Sequence, residues 1–182
     1  VMARGYHVTA IQEADVPEAF VNKLCRTATE NGFTLDFAQP ISISSDGVSR
    51  YGRRAAILTK GPAIPHDITD YNNSNDAYLL ESGRWVERMI PTKEGRHHII
   101  VASMYGYPKA STDKEWMTKN EALAAAAFIR MDQHPDMPYL LCTDLNINPR
   151  KSNTVCSAIA AEMCKDLMAD WNTGDDLPNT YC

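Results

Sequence analysis

No apolar run in this chain approaches the length a membrane span needs, and no charged-then-apolar leader follows Val1. Cysteine is sparse and unpaired in pattern: Cys25, Cys142, Cys156, Cys164 and Cys182 are odd in number, widely spaced, and contain no Cys-x-x-Cys of the kind zinc or redox sites use. A reducing compartment follows, so we expect an intracellular protein, nuclear or cytoplasmic. Positive charge is also short. With 18 Lys and Arg against 23 Asp and Glu, a net charge of −5 and a pI near 5.5, the chain lacks the broad cationic surface that nonspecific coating of nucleic acid requires. A local basic groove stays open, although Arg50, Arg53 and Arg54, and likewise Arg96, His97 and His98, read first as solvated faces. Internal repeats, low-complexity tracts and interdomain linkers are missing too. What is present is 182 residues with 44% apolar content, enough to close one core without disulfides or a structural metal. One domain over 1–182, monomeric, is the expectation.

β-forming residues from Tyr6 to Ile11 predict a strand that enters a loop at Gln12-Glu13. Asp15 is positioned to cap the next helix and Pro17 to sit in its first turn, with Phe20, Leu24 and Ala28 as its inner stripe and Gly32 as its stop. Strands follow over Thr34 to Ile43 and Arg54 to Lys60, around a turn at Ser44 to Gly47. Pro62 to Ser82 reads as an irregular polar excursion. Trp85 to Ile90 and Ile99 to Met104 predict a hairpin closed through Lys93 to Arg96. Thr112 and Glu115 form a capping-box pattern for a helix with Trp116, Leu123, Ala127 and Met131 on its apolar stripe, ended by Pro135. Tyr139 to Thr143 is a buried-strand candidate, and Ser152 or Asn153 caps a last helix that turns Val155, Ile159 and Met163 inward. Strands interspersed with helices, but without strict alternation, fit a sheet-on-sheet core flanked by helices.

Three strand ends carry groups suited to chemistry. Asp144-Leu145-Asn146 follows the apolar segment Tyr139 to Thr143. Residues two apart on an extended chain face the same side, so the Asp144 carboxylate and the Asn146 amide converge on one water or ion. Taken alone, Asp-x-Asn is also an ordinary turn after a strand. Glu13 stands just past the first strand, where a carboxylate offers oxygen to a hard cation or is merely a solvated loop acid. Tyr105 ends the Ile99 to Met104 strand, and its phenol either donates to a phosphate oxygen or sits half-buried at an edge.

The ordered set Ala10-Ile11-Gln12-Glu13, Arg54-Ala55-Ala56-Ile57-Leu58, Ile100 to Gly106 and Leu140 to Asn146, with Asp170-Trp171 and Pro178-Asn179-Thr180-Tyr181 as late landmarks, resembles the endonuclease/exonuclease/phosphatase superfamily over nearly the whole chain. Within it, the resemblance is to the apurinic-endonuclease-like or retroelement-endonuclease-like branch. It implies an α/β (α+β) fold, a four-layered sandwich of two mixed β-sheets flanked by helices, that cleaves phosphate esters with magnesium or manganese. Glu13 would bind the metal, Asp144 would orient and deprotonate the attacking water with Asn146 beside it, and Tyr105 would contact the scissile phosphate. DNA is the implied substrate and a magnesium-dependent endonuclease the implied enzyme. Thr143 stands where the family usually has Gly. An early Asn upstream of the Glu motif and a late Asp-His pair have no counterpart, so the chain reads as truncated at both ends. A phosphatase acting on inositol phosphates or phospholipid headgroups is the alternative enzyme, but those branches carry a His-containing motif where Met104-Tyr105 stands. A noncatalytic nucleic-acid- or protein-binding relic is the third reading.

Overall fold

The computed structural model describes residues 7–45, 48–61, 63–66, 68, 73–92 and 97–167, and the side chains of all these except 43–45 and 48–51. The segments Lys93 to Arg96, Asp170-Trp171 and Pro178 to Tyr181 lie outside the described residues. Among the described residues eight strands form two sheets. In the first, β1 (Val8–Pro17), β2 (Phe33–Phe37) and β3 (Ile41–Ser45) all pair antiparallel with the long central β4 (Val48–Lys60). In the second, β5 (Ile64–Pro65), β6 (Trp85–Pro91) and β7 (His98–Tyr105) run antiparallel in that order, and β8 (Tyr139–Asp144) joins β7 in parallel, with Tyr105 in register with Asp144.

Helix α1 (Glu18–Glu30) covers the first sheet; α2 (Ser74–Glu81) and α3 (Lys114–Asp132) cover the second, and α4 (Asn153–Ala160) packs on α3. Alternation along the strands divides the core in two. Ala55, Ile57, Val86 and Tyr105 meet between the sheets, whereas Trp85, Ala102 and Met104 face Leu79 of α2 and Leu123, Ala126 and Ala127 of α3. The order helix, sheet, sheet, helices is the expected four-layered sandwich. Among the described residues no helix is long and apolar enough to cross a membrane.

Several boundaries differ from the sequence pattern for identifiable reasons. β1 does not yield to a loop at Glu13; it continues to Pro17, which occupies the N-cap of α1 with no side-chain cap. Helix α1 presents Val21, Cys25 and Ala28 to the sheet: Ala28 faces inward as expected, with Val21 and Cys25 in place of Phe20 and Leu24. Phe20 and Leu24 are left exposed, while Val21 and Ala28 are buried and the Cys25 thiol donates to the Leu35 carbonyl. The expected Thr34 to Ile43 strand is two strands broken at Ala38 to Pro40. The polar excursion contains α2, because the Asn73 side chain accepts from the Asn75 and Asp76 amides and caps it. Asp113, not Thr112, caps α3 in the same way. Ser152 caps α4, which ends at Ala160, so Met163 lies past it and Ile159 is exposed.

Beneath α2 and α3 the second sheet buries an ionic cluster. Arg130 of α3 donates from Nη2 at 2.6 Å and Nε at 3.0 Å to Glu87 of β6, and from Nη1 at 3.3 Å to Asp76 of α2. The Tyr139 hydroxyl donates to the other Glu87 oxygen, and His66 Nδ1 lies 3.0 Å from Glu87 Oε1. The His134 ring meets the His66 ring edge-on at 4.8 Å. Glu87 and Asp76 are nearly inaccessible, so Arg130→Met leaves two carboxylates without their shared cation. We expect a loss of about 3–5 kcal/mol, read as a fall in the urea midpoint at unchanged slope.

Burial holds His134 below its ordinary value, with the Arg130 charge and His66 acting in the same direction and Glu87 against them. Such a base stays neutral in the folded chain while the unfolded chain takes up a proton. Its contribution is thus present above about pH 6.5 and lost as pH falls from there through the lower folded value. The urea midpoint should fall between pH 7 and pH 5.5, and less steeply in His134→Gln.

Candidate active site

The sheets meet through an Arg88–Asp36 ion pair between β6 and β2, with Nη2 to Oδ1 at 2.9 Å, and through a polar crossing beside the candidate residues. Ser103 of β7, fully buried, donates from Oγ to the Ile11 carbonyl at 3.1 Å and accepts from Gln12 Nε2 at 3.1 Å. Gln12 Nε2 also donates to the Cys142 carbonyl of β8 at 3.2 Å. One residue beyond Gln12 stands Glu13; two beyond Ser103 stands Tyr105; two beyond Cys142 stands Asp144. The crossing thereby draws the bulge of β1 and the ends of β7 and β8 to one place.

Glu13 is displayed by a bulge. β1 pairs Gln12 with Ala55 and Val16 with Arg53, so Glu13, Ala14 and Asp15 oppose Arg54 alone. Both acids take left-handed backbone, φ 51° at Glu13 and 44° at Asp15, a conformation that costs non-glycine residues roughly 1–2 kcal/mol each. Arg54 Nη1 pairs with Asp15 Oδ1 at 2.5 Å and steadies the bulge, while Glu13 projects to solvent. Strain at a bulge that displays a carboxylate is a mark of a functional site.

At the end of β8, Asp144 is exposed and its Oδ1 accepts the Asn146 amide at 2.9 Å. Asn146 adopts φ 55°, and its Nδ2 donates to the Gly106 carbonyl at 3.3 Å. The Gly106 amide in turn donates to the Asp144 carbonyl at 2.7 Å. Asn120, buried on α3, bonds both loops: Nδ2 to the Leu145 carbonyl at 2.5 Å, and Oδ1 from the Tyr107 amide at 2.6 Å.

Tyr105 is only 2% exposed, and its phenol lies in the field of the other three groups. Burial pushes its pKa up and Glu13 and Asp144 add to that rise, while a hydrogen bond from Asn146 and the Arg84 charge oppose it. The phenol keeps its proton at neutral pH and is a donor. The structure thus brings together all four side chains singled out in the sequence, Glu13, Tyr105, Asp144 and Asn146. Glu13, expected in a loop, stands instead in a strand bulge. The Arg53 and Arg54 cluster is engaged in ion pairs with Glu18 and Asp15. His98 opens β7 at the end opposite Tyr105, with His97 just before it, and His134 belongs to the ionic cluster.

Sequence reasoning missed Gln12, Ser103, Asn120 and Arg84, which hold the site rather than line it. A hydroxyl in the apolar run Ile99 to Met104 was the one available signal for Ser103.

No family model and no curated protein matches the sequence. Among solved structures the chain is similar to the human Nocturnin catalytic domain with bound sulfate anion, with a TM-score of 0.58 at 14% identity over 89% of this chain. That domain is a member of the superfamily named above. The chain has the endonuclease/exonuclease/phosphatase fold. ANGEL2, a 2′,3′-cyclic phosphatase, superposes with a TM-score of 0.49 at 14% identity over 80% of the chain. The chain spans 58% of the Nocturnin catalytic domain and 40% of the ANGEL2 chain.

Within this endonuclease/exonuclease/phosphatase fold, the approach of the two loops sets the site's dimensions, and Gly106 is where they touch. A Cβ there would meet the Leu145 backbone at 2.6–2.8 Å, so Gly106→Ala must part the Tyr105 and Asn146 loops. We expect a loss of about 1–3 kcal/mol in chemical denaturation.

Proposed function

We propose that Glu13, Tyr105, Asp144 and Asn146 form the phosphodiester-cleaving site of a divalent-metal-dependent hydrolase that acts on nucleic acid, with DNA cut internally as the leading substrate. The observation that carries this reading is the convergence of those four side chains from a strand bulge in one sheet and two strand ends of the other. The donor set suits magnesium or manganese: Glu13 and Asp144 offer exposed carboxylate oxygens, which hard cations prefer. Among the described residues no three His, Cys, Asp or Glu side chains group to enclose an ion, and a magnesium ion completed by water and substrate phosphate needs few protein ligands. Glu13 would hold the metal, which when bound supplies a Lewis acid to the phosphoryl oxygens.

The chain's own groups account for the rest. The Asn146 backbone N–H donates to one Asp144 oxygen and leaves the other to accept a proton from an incoming water. As the water oxygen bonds to phosphorus and the ester P–O bond breaks, that proton passes to Asp144, and the departing alkoxide is protonated by solvent. The neutral Tyr105 phenol donates to a non-bridging oxygen, where negative charge accumulates. Its donation supports a phosphodiester substrate without requiring a cationic histidine at that position.

The test compares nicking of supercoiled plasmid, cleavage of an abasic duplex and phosphate release from inositol phosphates, with magnesium or manganese and with EDTA. Metal-dependent cleavage of either DNA should fall about 10²–10⁴-fold in Asp144→Ala and be abolished by EDTA. Phosphate release that needs Asp144, with both DNA substrates untouched, would replace the nuclease reading by the phosphatase one. Inactivity in every assay, together with no magnesium uptake in calorimetry, would leave a binding relic.

A further inference from the structure

Arg84 lies directly before β6, and its backbone carbonyl accepts the Tyr105 amide at 3.0 Å. Its side chain is buried, 6% exposed. Nη1 donates to the carbonyls of Tyr105 at 3.2 Å and Gly106 at 2.7 Å. The guanidinium carbon lies 5.2 Å from the Tyr105 ring centre and 4.2 Å from that of Tyr107. Among the described residues no carboxylate pairs with it, and its Nε has no hydrogen-bond partner.

A buried guanidinium without an acid is costly, and an apolar side chain at the same place would fill the core more cheaply. Here its bonds are all spent on one turn. The carbonyls it holds belong to Tyr105 and to Gly106, and the second of these also accepts from Asn146. One planar group therefore fixes the backbone that carries the phenol, the carbonyl that orients the amide, and one side of the phenol ring. Lysine cannot reproduce that fork, since its ammonium is a point charge without a planar face.

We propose that Arg84 is a positioning residue for the candidate phosphodiester site, clamping Tyr105 so that its phenol is held toward Glu13, Asp144 and Asn146. The proposal rests on the hydrolase reading above for its effect on rate, but not for its effect on Tyr105 itself. Arg84 reaches the site through the 105–106 turn, chiefly through Tyr105 and secondarily through the Gly106 carbonyl that Asn146 also bonds. Loss of Arg84 should therefore matter most when the phenol is present.

Two readouts on the 182-residue chain test this. The first is steady-state cleavage of bis(4-nitrophenyl) phosphate with manganese by Arg84→Met and Arg84→Lys, each with Tyr105 intact and in Tyr105→Phe. The second is the ¹³C-tyrosine NMR signal of Tyr105, assigned by its disappearance in Tyr105→Phe. We expect Arg84→Met to lower kcat at least about tenfold with Tyr105 present and less than about twofold in Tyr105→Phe, with KM nearly constant, and the Tyr105 signal to move or broaden. Arg84→Lys should give the same pattern in weaker form. If Arg84→Met does not unfold cooperatively, Arg84→Lys carries the same comparison. Equal losses in both backgrounds, or an unmoved Tyr105 signal, would overturn the clamp. Should the wild-type chain fail to cleave the ester, the hydrolase reading falls, and the NMR signal alone decides for or against the clamp.

Discussion

Ser103 and Gln12 set the distance and register between the two sheets, and the candidate site exists because of them. Sheet-on-sheet packing is largely non-directional: Ala55, Ile57 and Val86 would be as well buried with one sheet slid along the other. Hydrogen bonds are not so tolerant. Ser103 bonded to Ile11 and Gln12, and Gln12 bonded to Cys142, allow one alignment of β1 across β7 and β8, and burial makes any other alignment leave those groups unpaired at a cost of about 1–3 kcal/mol each. Glu13, Tyr105 and Asp144 follow from that alignment by counting one or two residues along their strands.

The rest of the site is held from the backbone. Asn146, Asn120 and Arg84 all bond main-chain carbonyls of residues 105, 106 or 145, and Gly106 lets the two loops touch. The acids themselves, Glu13 and Asp144, are left exposed. Such a division keeps polar groups rigid where geometry matters and leaves the carboxylates accessible to a ligand. The left-handed backbone at Glu13, Asp15 and Asn146 is strain that the crossing and the loop bonds hold in place.

The segment Arg84 to Glu87 separates this machinery from the charges that secure the helices. Arg84, directly before β6, turns to Tyr105, Gly106 and Tyr107, whereas Glu87 within the strand faces α2 and α3 and binds Arg130, Tyr139 and His66. One segment thus puts a cation behind the candidate site and an anion beneath the helix layer. The ionic cluster is remote from the strand ends and bears on stability.

Local pattern in the sequence determined most of the strand–helix order, the β6–β7 hairpin and the Ser152 cap, because each depends on residues near one another in the chain. The resemblance carried by Glu13, Tyr105 and Asp144-Leu145-Asn146 added the four-layered arrangement. Tertiary structure alone decided the bulge that displays Glu13, the face α1 buries, and the roles of Gln12, Ser103, Asn120 and Arg84. The site-holding partners lie far along the chain: Gln12 meets Ser103 across 91 positions and Cys142 across 130. A bond between groups that far apart in sequence leaves no period to read, and only the packing of one sheet on the other creates it.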